Sequence, residues 1–245
     1  MIKFFRRIRQ QLLSENKFSK YLLYAVGEIV LVVIGILIAV QINSWHSKIK
    51  EDKLKAVYIK NLINDFTKDT IQLNARIKDN EDNYYTLGID SIITYIESPL
   101  TTLLDIKNLA KNKPLTGLRT INQYNVNTFN ILVSTGDISL FEDALVQKVM
   151  ELNRLQNFEI DISNGNRRTY FEMYNSYLKE YIPANRSNKT VINEIWDNKN
   201  ATEHAPLYIN TIQIQKHAIN RYVELTKIVL AQTEELLELL EERKK

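Results

Sequence analysis

Three histidines, His46, His204 and His217, are the first residues to question for chemistry. A di-iron bundle needs a glutamate three residues before a histidine, so that both ligands share one helix face. None of the three has one. HExxH, the common zinc-protease signature, is absent, as are Gly-x-Ser-x-Gly, GxGxxG and a Walker sequence. With no cysteine, disulfides, thiolate metal sites and a cysteine nucleophile are excluded. Glu203-His204 sits beside Pro206 in a polar stretch and reads as an exposed pair. The acidic pairs Asp65/Asp69 and Glu234/Glu235 fall on helix faces and read as solvated. Ser134-Thr135-Gly136-Asp137 has the look of a functional loop, but no Gly-Lys-Ser/Thr ending follows it. Ser139-x-x-Glu142 behind it has the form of a capping box, so the segment reads as a helix junction. No catalytic residue, metal ligand or cofactor site is expected, and the chain is not expected to be an enzyme.

Two groups of residues remain. Tyr170, Tyr174, Tyr177 and Tyr181 follow one another at i, i+4, i+7 and i+11, a single stripe on a helix. Such a stripe suits either a ligand or partner face, or a core whose hydroxyls reach the rim. The other group lies in an apolar run. Ile29 to Val40 reads IVLVVIGILIAV, and its extension to Leu22 and Ile42 is long enough to cross a hydrocarbon core of about 30 Å. No small-x-small cleavage site follows, so an uncleaved anchor over residues 21–43 is expected rather than a signal peptide. Trp45 at one end, with Tyr21 and Tyr24 at the other, match the aromatic belts of a bilayer. Within the span, Glu28 would cost up to about 2.5–3.5 kcal/mol if ionised at the centre. Gly35 lies seven residues on, and Gly35-x-x-x-Ala39 permits close helix approach. Glu28, Gly35 and Ala39 are therefore candidates for a helix contact inside the membrane.

Charge divides unevenly. Residues 1–45 carry six of the 32 basic groups and two of the 29 acidic ones, leaving 26 basic and 27 acidic groups for residues 46–245. The larger part has no excess positive charge for a phosphate backbone, which argues against nucleic acid as a partner. Residues 1–13, inside a basic N-terminal segment 1–20, form an amphipathic pattern with Ile2, Phe5, Ile8 and Leu12 opposite Arg6, Arg7 and Arg9. That pattern suits an anionic leaflet and places the N-terminus in the cytoplasm, with the C-terminal domain in the periplasm.

The stretch LLSENKFSKYLLYAVGEIVLVVIGILIAVQIN resembles the N-terminal signature of a family of uncharacterised single-pass inner-membrane proteins of Bacteroidota. The likeness continues in Tyr58 to Asp65 and in Asn127 to Asp137. Where that family commonly has Asn-Trp-Asn-Glu, this chain has Ser44-Trp45-His46-Ser47. The resemblance implies a bacterial inner membrane and carries no catalytic residues with it.

The remaining elements must position these residues. Gly and Pro are scarce, with 6 and 4 in 245 residues, and the apolar residues recur at helix spacing. Helices are expected over 48–80, continuing from the anchor, and over 83–97, 139–182 and 206–242; the unbroken phase favours one long helix through Asn164-Gly165, with two helices as the alternative. Short helical pieces and loops are expected over 98–126, a short helix or turn over 125–133, and a short turn at Val191 to Trp196. The fold class is all-α: one N-terminal transmembrane helix followed by an elongated antiparallel helical bundle over 46–245. The partners expected are membrane lipid and another envelope protein or a second copy. Small-molecule sensing coupled to the membrane helix is the alternative.

Overall fold

The computed structural model describes residues 18–113, 115–118, 123–181 and 189–243. It divides into two compact units, Met1–Val57 and Tyr58–Lys245. Among the described residues there are seven α-helices and one short 3₁₀ turn, with no strand. The amphipathic pattern of residues 1–13 and the side chains of Tyr21 and Tyr24 lie outside what is described, as does Pro183.

Helix α1, Phe18–Leu87, contributes to both units. No proline interrupts it, and its only glycines are Gly27 and Gly35. In the first unit its large apolar side chains are exposed, among them Leu22, Ile29, Leu37 and Ile42. This stretch is long and apolar enough to cross a membrane. From Tyr58 onward the same helix buries Ile59, Leu62, Ile63, Phe66 and Leu73, a three-and-four spacing that lines one face.

The second unit is built on three long helices: the latter part of α1, α5 (Asp143–Glu180) and α7 (Ala201–Glu242). Helices α5 and α7 are antiparallel, because Lys148 pairs with Glu235 while Tyr177 meets His204. Helix α1 runs antiparallel to α7 as well, with Glu81 against Lys227 and, just beyond its end, Asp90 against Lys216. The expected antiparallel bundle is therefore present. Helix α5 passes unbroken through Asn164-Gly165, and of the seam that spacing predicts on α7, Tyr208, Ile212, Ile219, Val229, Leu236 and Leu240 are buried while Tyr222 is half-buried.

Four shorter helices close the unit: α2 (Ile89–Ile96), α3 (Leu103–Asn112), α4 (Asn127–Thr135) and α6 (Lys189–Asp197). The 83–97 helix is corrected in its start. Helix α1 runs on to Leu87, and Gly88 makes the break with φ 63°, a left-handed conformation that glycine adopts at little cost. The Ser139 capping box is also corrected. A 3₁₀ turn occupies Asp137–Leu140, and the Ser139 hydroxyl donates to the Gly136 carbonyl. Helix α5 instead starts at Asp143, behind Glu142. A capping box does occur, at Thr102 and Asp105 on α3. Helix α7 begins five residues before Pro206, with the Asn200 side chain accepting from the Thr202 amide.

Candidate functional site

The apolar interior of the second unit falls into two clusters. One gathers Leu62, Phe66, Leu73, Leu145, Leu152, Val229 and Leu236. The other gathers Ile89, Ile92, Ile106, Tyr177, Trp196, Tyr208 and Ile212. Between them the three long helices contribute buried polar residues at positions where apolar ones would continue the seam. On α1, Asp69 and Arg76 follow Leu62 at seven-residue steps, and on α5 Glu159 follows Leu152 likewise. Asp69 and Glu159 are fully buried, Asp65 and Arg76 nearly so. The expectation of solvated carboxylates at Asp65 and Asp69 is overturned: the face they share with Leu62 and Phe66 points into the bundle.

Their partners explain how these charges are accommodated. Glu159 accepts from the Tyr124 hydroxyl at 3.0 Å and the Ser163 hydroxyl at 3.1 Å, with the Arg76 guanidinium 3.8 Å away. Asp69 accepts from both the backbone amide (3.0 Å) and the side-chain amide (2.7 Å) of Asn125, and from Gln72 and Gln156. Asp65 accepts from the Thr128 amide and hydroxyl. Thr128 lies in the first turn of α4, whose own N-cap, Val126, offers no side-chain acceptor. The carboxylate of α1 thus caps α4 from across the fold, where the helix N-terminus favours negative charge. Loss of hydration pushes both Asp69 and Glu159 above the usual carboxylate range, against the opposing pull of their hydrogen bonds and of Arg76. Burial also raises the Tyr124 phenol.

The same logic continues toward the other cluster. The Tyr170 hydroxyl and the Gln215 amide both donate to the Thr116 carbonyl, and the Tyr208 hydroxyl donates to the Lys113 carbonyl. Polar side chains of α1, α5 and α7 therefore hold described parts of the connection between α3 and α4, pairing the Lys113 and Thr116 carbonyls and the Asn125 amide.

Of the tyrosine stripe, Tyr170, Tyr177 and Tyr181 are buried and Tyr174 is half-buried, its ring stacked on that of Tyr170. Tyr177 and Tyr181 form a box with Trp196 and Tyr208, and its centre is His204. His204 is fully buried, 4.4 Å from the Tyr181 ring centre and 5.2 Å from that of Trp196, with Nε2 2.9 Å from the Tyr177 hydroxyl. The exposed Glu203-His204 pair is thus corrected: Glu203 faces solvent, but His204 lies on the inward face of α7's first turn. Burial lowers the His204 pKa to about 4, with Lys107 adding to the effect, so the ring is neutral at pH 7. Lys107 itself is buried, donating to the carbonyls of Asp197 and Lys199 where α6 ends. The missed signal in the sequence was phase: His204, Tyr208, Thr211 and Gln215 continue the seam of α7 backward.

In the first unit Gly35 and Ala39 are exposed, and a Cβ at residue 35 would meet nothing within 4 Å. Glu28 is half-buried and has a partner.

One exposed feature contrasts with this interior. Between α2 and α3, Leu100 is 87% exposed, with Leu103, Leu104 and Tyr95 also outside the core. The loop is firmly built: Thr101 donates to the Tyr95 carbonyl, and the capping box of Thr102 and Asp105 fixes the start of α3.

The model of DUF6090, a family of unknown function, matches residues 28–187, more than half of the chain. The chain belongs to this family. No curated protein and no solved structure matches it. The DUF6090 match takes in Asp65, Asp69, Arg76, Tyr124 and Glu159, the full set around the polar layer on α1 and α5. His204 and Tyr208, on α7, lie beyond it.

Proposed function

We propose that this chain is a single-pass protein of a bacterial inner membrane, with a cytoplasmic N-terminus and a periplasmic helical unit that works by contact with another envelope protein or a second copy. The leucine loop at residues 98–104 carries this reading. Apolar side chains held in a fixed backbone and left in water are the features of an association surface, where aromatic and aliphatic anchors supply most of the affinity. The exposed apolar stretch of α1, its flanking Trp45 and the sequence resemblance to inner-membrane proteins support the location.

The test is photo-cross-linking in the native membrane, with a photoreactive residue in place of Leu100 or Leu104 of the full-length protein. A discrete adduct from both positions is expected, and its mass separates a foreign partner from a second copy. No adduct, or the same yield from a control at exposed Glu234, refutes the reading. Orientation is checked separately, since the chain has no cysteine of its own. A Ser134→Cys variant should react with a membrane-impermeant maleimide from the periplasmic side.

The second reading, small-molecule sensing coupled to the membrane helix, is favoured by two clefts in the helical unit. One of about 350 Å³ lies between α5 and α7, and one of about 220 Å³ lies beneath the Gly88 break, lined by Leu87, Ile92, Ile212 and Gln215. Ligand-dependent disulfide trapping across a Gly35→Cys pair would support it, and trapping indifferent to ligand would sink it.

A further inference from the structure

The larger cleft, between α5 and α7, combines amide side chains with an apolar floor. Its walls are Asn166 and Thr169 of α5 and Asn210, Gln213 and His217 of α7. These stand at i, i+3 and at i, i+3, i+7, so each set projects from one face of its helix toward the groove. Its floor is Met173, Ile214 and the buried Ala218. No carboxylate, lysine or arginine contributes, in a chain where charged residues make up 25%.

The amides are also unspent. Asn210 and Gln213 are exposed and Asn166 is half-buried, so their amides are open to solvent and to a ligand. The side chains of Asn166, Asn210, Gln213 and His217 make no hydrogen bond within the described residues. Beside them stands Gly165, in the middle of a 38-residue helix, where glycine is among the poorest choices. Packing does not demand it, because a Cβ there would meet nothing within 4 Å. The backbone at this point is left open to approach, and the Thr169 hydroxyl rests on the Gly165 carbonyl.

We propose that this cleft is a binding site for an uncharged carbohydrate. The lining holds no lysine or arginine to pair with a phosphate or carboxylate. Amide groups offer a donor and an acceptor side by side, matching adjacent hydroxyls, each of which both donates and accepts. The floor of Met173, Ile214 and Ala218 suits the C–H face of a sugar ring. The volume of about 350 Å³ falls at the lower end of small-molecule sites, about 300–1,000 Å³. This inference goes beyond both readings above and requires neither a partner nor a response of the anchor. Binding with no change in anchor cross-linking would end the sensing reading and leave this one standing.

The experiment is isothermal titration of the full-length protein in nanodiscs with neutral trisaccharides (chitotriose, cellotriose, maltotriose, mannotriose). A sialylated trisaccharide and a neutral tripeptide serve as comparators. At least one neutral sugar should bind with Kd of about 1 mM or tighter. Asn210→Leu with Gln213→Leu should weaken it at least about tenfold, at unchanged helical circular dichroism. Both residues are exposed, so folding should survive. A second variant, Thr169→Trp, fills the cleft and should abolish binding. No neutral sugar bound at about ten times that concentration overturns the proposal. So does binding that persists in both variants, or a preference for the sialylated sugar or the peptide.

Discussion

The buried Arg76–Glu159 pair offers the sharpest test of how the bundle tolerates its polar layer. Their charged atoms are 3.8 Å apart, and neither is more than 8% exposed. At an effective dielectric of about 20, the attraction between unit charges at that distance is about 4 kcal/mol, offset by the desolvation of both. The two partners are not equivalent when left alone. Arginine cannot shed its proton, so Glu159→Leu strands a cation in the core and should destabilise by about 3–5 kcal/mol. Glu159 can take up a proton, so Arg76→Leu should cost about 1–3 kcal/mol at pH 7. Replacing both with leucine should return the protein to within about 1 kcal/mol of the parent, or above it. The assay is urea unfolding of the full-length protein in detergent, arranged as a double-mutant cycle. Burial already holds the Glu159 pKa above its ordinary value, and Arg76 is the strongest of the groups that pull it down. A raised carboxyl pKa favours the protonated native form, so that contribution is complete below the unfolded pKa and is lost as pH rises through the folded one. Arg76→Leu should therefore be less harmful at pH 5 than at pH 8, and Glu159→Leu should show no such relief. Additive losses in the double variant would refute the reasoning, because they would mean the two charges do not compensate each other.

His204 titrates in the opposite sense. Its folded pKa, about 4, lies below the unfolded value, so its contribution is complete above about pH 6.5 and lost as pH falls toward 4. His204→Phe should flatten the unfolding midpoint over that window, by about 2–3 kcal/mol, measured by following Trp fluorescence in urea at each pH. Asp65→Ala should cost about 1–2 kcal/mol through loss of the cap on α4, and hydrogen exchange should quicken first at Asn127–Thr135. Two glycines should answer oppositely to alanine in thermal melts. Gly88→Ala should destabilise by about 1–2 kcal/mol, because φ is 63° there. Gly165→Ala should stabilise by about 0.5–1 kcal/mol, because its backbone is helical and its surroundings open.

Long elements were readable because their periodicity is long. The seam of α7 from Tyr208 to Leu240 and the passage of α5 through Asn164-Gly165 both follow from spacing alone, since a helix paired over many turns absorbs one poor residue. The burial of Asp69 and His204 also follows that spacing, against what their residue types suggest. A carboxylate is normally solvated unless partners wait for it inside. Here the partners, Asn125 and Tyr124, come from 56 and 35 residues away in sequence, a distance at which a single sequence carries no pairing signal. Ser139-x-x-Glu142 misled for a local reason: the left-handed Gly136 opens a 3₁₀ turn that delays the helix until Asp143. The larger cleft depends on which faces of α5 and α7 are left uncovered, a matter of three-dimensional packing rather than pattern.

The placement of Asp69, Arg76 and Glu159 also bears on which alignment of the helices is allowed. Seams that repeat every seven residues are nearly self-similar. Sliding one long helix past another by two turns, about 10 Å, would match leucine to leucine again. Such a slip of α1 would carry Asp69 away from Asn125 and Arg76 away from Glu159, and one of α5 would carry Glu159 away from both Tyr124 and Arg76, leaving buried charges without partners. Polar residues that add little to the depth of the native well thereby raise every neighbouring one. The connection between α3 and α4 becomes a gauge, able to settle on the bundle only when all three long helices are in step.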